Sequence, residues 1–258
     1  MITVTTAEIT AWIGQFLWPF FRISSLFMFM PLIGAAAVSP RVRLVLALAI
    51  AFLMAPLVPD VPAVEPFSAQ ALMITLHELA VGFSGALLLH IFMAIFTSAG
   101  QVVSTQMGLA MAEMVDPVNG ISIPIIGQFY QLASFLLFLA INGHLVVIDL
   151  LLASFDFMPV GGVTKLDDML VELGKLGSWV FSGALLVSLP AVTAMLVVNL
   201  TFGVMNRAAP QLNLFSLGFP MAMLCGLLGL MLSFIGASSL FIELTDEVLQ
   251  LLNMFWRR

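Results

Sequence analysis

Long apolar runs separated by short polar interruptions occupy almost the whole chain. The runs cover residues 12–33, 42–57, 71–100, 125–152, 179–202, 214–235 and 237–256. A membrane-spanning helix needs roughly 20 predominantly apolar residues, so runs of this length predict helices that cross a membrane. Prolines and glycines interrupt several runs, which favours kinked helices folded back as hairpins. The pattern therefore predicts an all-α integral membrane protein with six to seven apolar helices.

Arginines at the edges of the runs predict the orientation of the chain in the membrane. They lie at Arg41, Arg43, Arg207, Arg257 and Arg258, and the first ten residues contain neither lysine nor arginine. Positive residues close to a span favour the cytoplasmic side. We therefore predict that the N-terminus lies outside the cytoplasm and the C-terminus inside it. Trp256, just before the last two arginines, predicts an anchor at the membrane interface.

The composition excludes a separate water-soluble catalytic domain. Hydrophobic residues make up 62% of the chain, charged residues make up 9%, and the mean hydropathy is +1.16. A soluble domain carries about 25% charged residues, and this chain has too few to cover a water-exposed surface. The net charge of -6 comes without a basic patch, so nucleic acid is not an expected partner. The lone Cys225 excludes a disulfide within the chain.

The first and third apolar runs carry charged residues that need a partner. An arginine at the centre of a span costs about 2.5–3.5 kcal/mol on insertion scales, so Arg22 must meet protein, water or a headgroup. Either its side chain extends to the interface or pairs within the chain, or it contacts a neighbouring subunit, and both interpretations stay open. His77 and Glu78 open the third run. Adjacent helical residues point about 100° apart, and no further ligands follow at metal-site spacing. We therefore interpret these two as a polar pair at a helix end near the interface.

Small residues follow this pair along the third run. They are Gly82, Ser84, Gly85 and Ala86. Side chains of this size let two helix backbones approach closely. We expect this part of the run to lie at a helix–helix contact.

Residues 101–124 fit neither a membrane span nor an ordinary hydrophilic loop. Met107, Met111 and Met114 recur at helical spacing, while Glu113 and the turn-forming Asp116 interrupt the apolar character. One interpretation is a re-entrant element, which membrane proteins tolerate only where protein buries it or where it lines a cavity. The other is a connector that folds back and packs within one subunit. The residues by themselves favour neither.

Residues 203–220 concentrate polar groups between two apolar runs. They read G-V-M-N-R-A-A-P-Q-L-N-L-F-S-L-G-F-P, with Arg207, Pro210, Gln211, Asn213, Gly218 and Pro220 among them. Pro210 cannot continue a helix and favours extended geometry at the residue before it. The amides of Gln211 and Asn213 can bond backbone groups that lipid would leave unpaired. This density of donors and acceptors exceeds what a simple turn needs.

The pattern G-x-x-x-R-x-x-P-Q-x-N-x-F-x-x-G-x-P in this stretch resembles the signature of the FliR family. That family is the flagellar export-gate subunit, and its counterpart in virulence type III secretion is the T subunit. The resemblance covers essentially the full chain. Other matching positions are Pro40, Arg41, Arg43, Glu78, Gly82, Asp116, Pro117, Asn142, Gly143 and His144.

The resemblance implies roles for two sets of residues. The loop at 101–124 matches the one thought to plug the closed export channel. This implies a pore plug or gate loop that includes Met107, Gly108, Met111, Met114, Asp116 and Pro117. A role in subunit packing is implied for Arg207, Pro210, Gln211, Asn213, Gly218 and Pro220.

For the whole protein, the resemblance implies a structural subunit of the flagellar type III protein export gate and not an enzyme. The subunit would help form and close the inner-membrane channel, at the flagellar basal body, through which unfolded flagellar subunits pass. The expected partners are the membrane, FliP, FliQ, FlhB and exported flagellar proteins, with no cofactor, catalytic residue or metal. Residues 1–258 would form a single membrane domain, with a FliP-like part at 1–178 and FliQ-like C-terminal helices at 179–258.

A secondary transporter of a small solute is the alternative. Such a protein predicts an internal repeat and paired ionisable residues at mid-membrane. The sequence shows no internal repeat and suggests no convincing pair. The export-gate interpretation is therefore preferred.

Overall fold

The computed structural model describes residues 6–35, 38–59, 61–65, 67–110, 113–115, 122–162, 166–208 and 214–257. Helices dominate these residues. In chain order the elements are α1 (Thr6–Phe29), α2 (Pro40–Met54), a 3-10 turn (Ala55–Leu57), α3 (Ala69–Gln106), β1 (Glu113–Val115), β2 (Ser122–Pro124), α4 (Ile125–Ala140), α5 (Gly143–Phe157), α6 (Leu166–Ala208) and α7 (Leu214–Arg257).

Several of these helices have the length and composition of membrane spans. Among the described residues, three stretches qualify: Pro40–Leu57, Ala69–Gln106 and Leu173–Ala208. The bent pair α4 and α5 would make a fourth if it counts as one span. This confirms the helical, membrane-protein class. The predicted number of apolar helices and the predicted orientation of the two ends stay predictions.

Helix α7 differs from the expectation. The runs at 214–235 and 237–256 predicted two helices, whereas the chain forms one helix of 44 residues, Leu214–Arg257. The residue between the runs is Gly236, and an isolated glycine inside a helix costs only about 1 kcal/mol relative to alanine. Without a proline or a polar turn at that point, the helix continues.

Helix α6 also begins earlier than the apolar pattern indicated. Its first residue is Leu166, inside the hydrophilic segment at 153–178. Leucine, lysine and glutamate are good helix formers, and residues 166–178 contain no proline, so this polar part can extend the apolar helix. The boundary between residues 178 and 179, which separates the predicted FliP-like and FliQ-like parts, therefore lies within one helix.

The chain packs as two compact units, each assembled from separate stretches. The first comprises Met1–His90, Asn142–Gly174 and Glu247–Arg258, and the second comprises Ile91–Ile141 and Lys175–Asp246. A core cluster of the first unit contains Trp18, Val58, Ala71, Ile74, Phe155 and Val160. In the second unit, the ring of Phe92 lies within 6.5 Å of four other aromatic rings, those of Phe96, Phe138, Trp179 and Phe241.

The break between α4 and α5 falls at Asn142, where the sequence I-N-G-H interrupts an apolar run. Asn142 has φ 58° and lies in the left-handed region, which asparagine adopts more readily than most residues. Its carbonyl accepts hydrogen bonds from the backbone N–H groups of Leu145 and Val146, at 2.9 and 3.3 Å. The interruption expected from the sequence is confirmed.

Arg43 closes the connection between α1 and α2. Its guanidinium donates hydrogen bonds to the carbonyls of Met28, Ala35 and Val38. Pro40 occupies the first turn of α2, where its missing N–H leaves no intrahelical bond unmade. Arg43, which flanks an apolar run in the sequence, therefore also hydrogen-bonds carbonyl groups at the end of α1 and in the connection to α2.

Trp256 is buried within the first unit, with 1% of its surface exposed. A Cβ placed on Gly85 would lie 2.5 Å from Cζ2 of this indole, so the ring packs directly on the glycine. The predicted interfacial anchor is wrong, because an anchor must reach the surface and this side chain fills the core. The close contact expected along the small-residue face of α3 is confirmed.

Candidate functional site

A buried ion pair lies in the first unit. Arg22 on α1 and Glu78 on α3 are both 0% exposed. The Nε of Arg22 donates to Oε2 of Glu78 at 2.7 Å, and its Nη2 donates to Oε1 at 3.1 Å. This two-point geometry is the strongest form of an arginine–carboxylate contact.

Helix α5 and Met158, the residue after it, supply the remaining partners of the guanidinium. Its Nη1 donates to Oγ of Ser154 at 2.9 Å, and its Nη2 donates to the backbone carbonyl of Met158 at 2.8 Å. The guanidinium carbon lies 4.0 Å from the centre of the Phe155 ring, which adds a cation–π contact. Arg22 therefore joins three helices, and four of its donor contacts end on protein groups.

Gly82 allows α1 to approach α3 closely enough for this pair to form. A Cβ on Gly82 would overlap the backbone carbonyl oxygen of Arg22 and would lie 3.0 Å from Cβ of Ser25. Next to this crossing, Oγ of Ser25 donates to the carbonyl of Leu79 at 2.6 Å. Gly82 stands one helical turn after Glu78, so the backbone contact and the ion pair lie on the same face of α3.

The ion pair decides between the interpretations left open by the sequence. Arg22 pairs within the chain, so the suggested contact with a neighbouring subunit is wrong. Glu78 lies inside α3 and is fully buried, so the interpretation as a helix-end pair near the interface is wrong as well. His77 is 10% exposed, and its Nδ1 lies 3.4 Å from Oε1 of Glu78. A buried charge needs a partner, so a charge within an apolar run was a signal that a partner exists, although the sequence does not identify which residue it is.

The segment expected to form the plug begins with a turn that ends α3. The N–H of Leu109 bonds the carbonyl of Ser104 at 2.9 Å, and the N–H of Gly108 bonds that of Thr105 at 3.1 Å. Gly108 has φ 75°. These two bonds with a left-handed glycine form a Schellman motif, a common way to end a helix. Gly108 is therefore a helix-terminating residue, and Met107 before it is buried, with 1% exposed.

A short β-hairpin follows, where the methionine spacing suggested a helix. Strands β1 and β2 pair antiparallel, with Glu113 opposite Pro124, Met114 opposite Ile123 and Val115 opposite Ser122. The helical spacing was misleading because the turn at Gly108 ends the helix before Met114. Met111, Asp116 and Pro117 lie outside the described residues.

Met114 borders an apolar cavity beside the hairpin. The cavity has a volume of about 390 Å³ and is lined by Met114, Ile125, Gln128, Phe129, Gln131, Leu132 and Phe135. The side chain of Met114 is 48% exposed. The hairpin therefore presents an apolar, adaptable side chain that the second unit covers only in part.

The base of the hairpin lies next to a close crossing of α3 and α4. A Cβ on Gly100 would lie 2.5 Å from Cα of Gly127 and 2.9 Å from the carbonyl oxygen of Ile126. Only a residue without a side chain fits there. Sequence reasoning did not single out this pair, although each glycine stands alone within an apolar stretch.

The polar stretch at 203–220 is described in part. Helix α6 ends at Ala208, as expected from a proline at position 210. Arg207 is exposed in the last turn and borders a groove of about 550 Å³ together with Asn199, Gly203 and Asn206. Pro220 lies exposed within α7, and Gly218 belongs to the same helix. Pro210, Gln211 and Asn213 lie outside the described residues, so the structure does not test the packing role of the set.

The described residues include no cluster of three or more histidine, cysteine, aspartate or glutamate side chains suited to a metal ion. Among the described residues, the buried charges of Arg22 and Glu78 neutralise each other. These features define a helical membrane protein with a structural ion pair and a hairpin between two of its helices.

Comparison with known proteins gives the family. The sequence model for "Bacterial export proteins, family 1" matches residues 13–248. The flagellar biosynthetic protein FliR of Escherichia coli (strain K12) is 34% identical over 229 residues, covering 88% of this chain and 87% of the relative. The FliR of Pectobacterium carotovorum subsp. carotovorum is 33% identical over 257 residues, 98% of each chain. That of Bacillus subtilis (strain 168) is 29% identical over 209 residues, 80% of each. The chain belongs to this family of bacterial export proteins.

Proposed function

We propose that this chain is a structural subunit of the flagellar type III protein export gate, and that it helps form and close the channel through which unfolded flagellar subunits pass. The similarity to FliR proteins over nearly the full length carries this proposal. Its location is the bacterial inner membrane, at the flagellar basal body. The chain acts as a conduit wall and not as an enzyme.

The segment at 101–124 is the part of the chain that closes the channel. The end of α3 is fixed by the turn at Gly108, and the hairpin strands hold the two sides of the segment together. The segment carries Met107, Met111 and Met114, whose side chains are flexible and apolar and so suit a seal that must open and re-form. A short tethered element of this kind can move without unfolding the helices beside it.

Partner subunits cover the surface that this chain leaves apolar. The proposed partners are FliP, FliQ and FlhB, with residues 1–178 arranged like FliP and residues 179–258 like FliQ. The exposed end of α6 supports this arrangement, because Arg207, Asn199 and Asn206 are unfavourable in contact with lipid. The signature residues at 203–220 belong to that contact surface.

Deletion of residues 107–119 tests the closing role. We expect the assembled complex to conduct small ions across liposome membranes, since the seal is gone while the helices remain. A second variant replaces residues 109–119 with glycine and serine at equal length, which keeps the connection and removes the apolar side chains. It should leak as well. Unchanged conductance of the deletion variant would remove the plug from the proposal.

The transporter alternative gains no support from the relatives. The structure does show one buried ionisable pair that the sequence did not suggest, Arg22 with Glu78. Its donors end on Glu78, Ser154 and the carbonyl of Met158, so protein groups already occupy the positions that a transported ion or solute would need. The pair has the character of a structural contact.

A further inference from the structure

The position where the gate segment leaves α3 is packed against α7. A Cβ placed on Gly226 would lie 2.5 Å from Cγ of Met107, 2.8 Å from its Cε and 3.0 Å from its Sδ. Gly226 is buried, and Met107 is 1% exposed. The whole length of the methionine side chain therefore lies over bare backbone on α7.

Met107 is the last firmly buried residue before the exposed part of the segment. Gly108, Glu113 and Met114 are all exposed. The Schellman bonds at Gly108 set the direction in which the chain leaves the helix. Met107, packed on Gly226, lies at the helix end from which the segment starts.

We propose that Met107 seated on Gly226 is the latch that holds the gate segment in its closed position, and that this contact is released when the channel opens. The inference rests on the proposed closing role of residues 101–124. Gly226 is a positioning residue, since it acts on the gate through Met107.

The substitution Gly226→Ala isolates this contact. Alanine is the better helix former, so by itself the change favours α7. Any loss of closure must then come from the methyl group that displaces Met107. Gly229, one turn further along the same helix, supplies the matched control, because a Cβ there would meet only Cβ of Ala194 at an ordinary 3.4 Å.

The experiment measures ion leak and complex recovery for the assembled export complex in liposomes. We expect Gly226→Ala to raise the leak about tenfold, within the 5- to 150-fold range typical of coupling between two states, with normal complex recovery. Gly229→Ala should match the wild type. Met107→Ala should leak as well, and adding Gly226→Ala to it should produce little further change, since the two act through one contact.

These measurements test the latch contact and the closing role of residues 101–124 separately. If the 107–119 deletion leaks while Gly226→Ala behaves like Gly229→Ala, the latch is wrong and the closing role stands. If the deletion does not leak, the closing role fails and the latch fails with it.

Met107→Ala, which adds no atoms at the contact, keeps the test available if Gly226→Ala does not assemble. A cross-link then tests the latch through export instead of leak. Met107→Cys with Gly226→Cys, in a Cys225→Ser background, places two thiols at a contact short enough for a disulfide. Added oxidant should keep the channel tight and stop export, and reductant should restore export. Export that continues through the oxidised complex, or thiols that never cross-link, would overturn the latch.

Discussion

Replacing Glu78 by glutamine removes one charge from the buried pair while keeping the size of the side chain. The guanidinium of Arg22 would then remain at 0% exposure without a counter-charge. Removing one partner of a buried ion pair costs about 3–5 kcal/mol, because the remaining charge is left uncompensated in a medium of low polarity. Glu78→Gln should therefore be among the more destabilising single changes in the first unit.

This free energy corresponds to a measurable shift of the unfolding midpoint. A change of 1 kcal/mol moves the midpoint by about 2–4 °C in proteins of 150–250 residues, so the expected drop is roughly 6–20 °C. Thermal unfolding of the purified complex in detergent measures it. Recovery of folded complex from membranes should fall in parallel, because the contact joins α1, α3 and α5.

Two further variants make the result specific. Glu65→Gln changes the same group at an exposed position and should alter stability by no more than about 0.5 kcal/mol. Arg22→Met combined with Glu78→Met removes both charges, and it should recover most of the loss, since apolar replacement of a buried pair is often neutral or stabilising. A midpoint for Glu78→Gln within 2 °C of wild type would refute the electrostatic reasoning. So would a double variant that is worse than the single one.

The remaining predictions concern helix contacts and assembly. Gly100→Ala should destabilise the second unit by about 1–3 kcal/mol, because its Cβ would overlap the backbone of Gly127. Gly127→Ala should be nearly neutral, since the atom closest to its Cβ would lie at 3.4 Å. Thermal unfolding compares the stability of the two variants. Arg207→Ala and Asn213→Ala should each lower co-purification of the partner subunits, and Arg207→Lys should restore only part of it, because lysine keeps the charge and loses the planar fork. Full recovery of the complex with Arg207→Ala would contradict a role of Arg207 in subunit packing.

The helical class could be predicted from the sequence because it depends on local patterns. Apolar runs longer than a bilayer requires and polar interruptions such as Asn142 and the proline at 210 are read directly along the chain. The same local patterns predicted wrong helix boundaries where one pattern is compatible with two structures. Gly236 is compatible with a helix end and with a helix interior, and without a proline or polar turn beside it the helix continues.

The ion pair and the glycine contacts could not be predicted because they join distant parts of the chain. Arg22 and Glu78 are 56 positions apart, and nothing in the spacing of either run reveals that their helices cross. Gly226 looks like any small residue in an apolar helix until Met107 is placed on it. The methionine spacing at 107–114 favoured a helix, yet the left-handed turn at Gly108 and pairing with β2 determine the structure there. Tertiary contacts determine the structural role of such residues.

The end of α6 gives a physical reason to expect partner subunits. The apolar run at 179–202 has 24 residues, which span about 36 Å at 1.5 Å per residue, so a hydrocarbon core of about 30 Å accommodates it at a tilt of about 35°. The whole helix has 43 residues and is about 64 Å long, so its ends lie beyond the hydrocarbon core. Val204 and Met205 lie past the run and are 69% and 43% exposed. Exposed apolar side chains outside the hydrocarbon core are the kind of surface that other protein covers, and the proposed FliP and FliQ contacts would cover it.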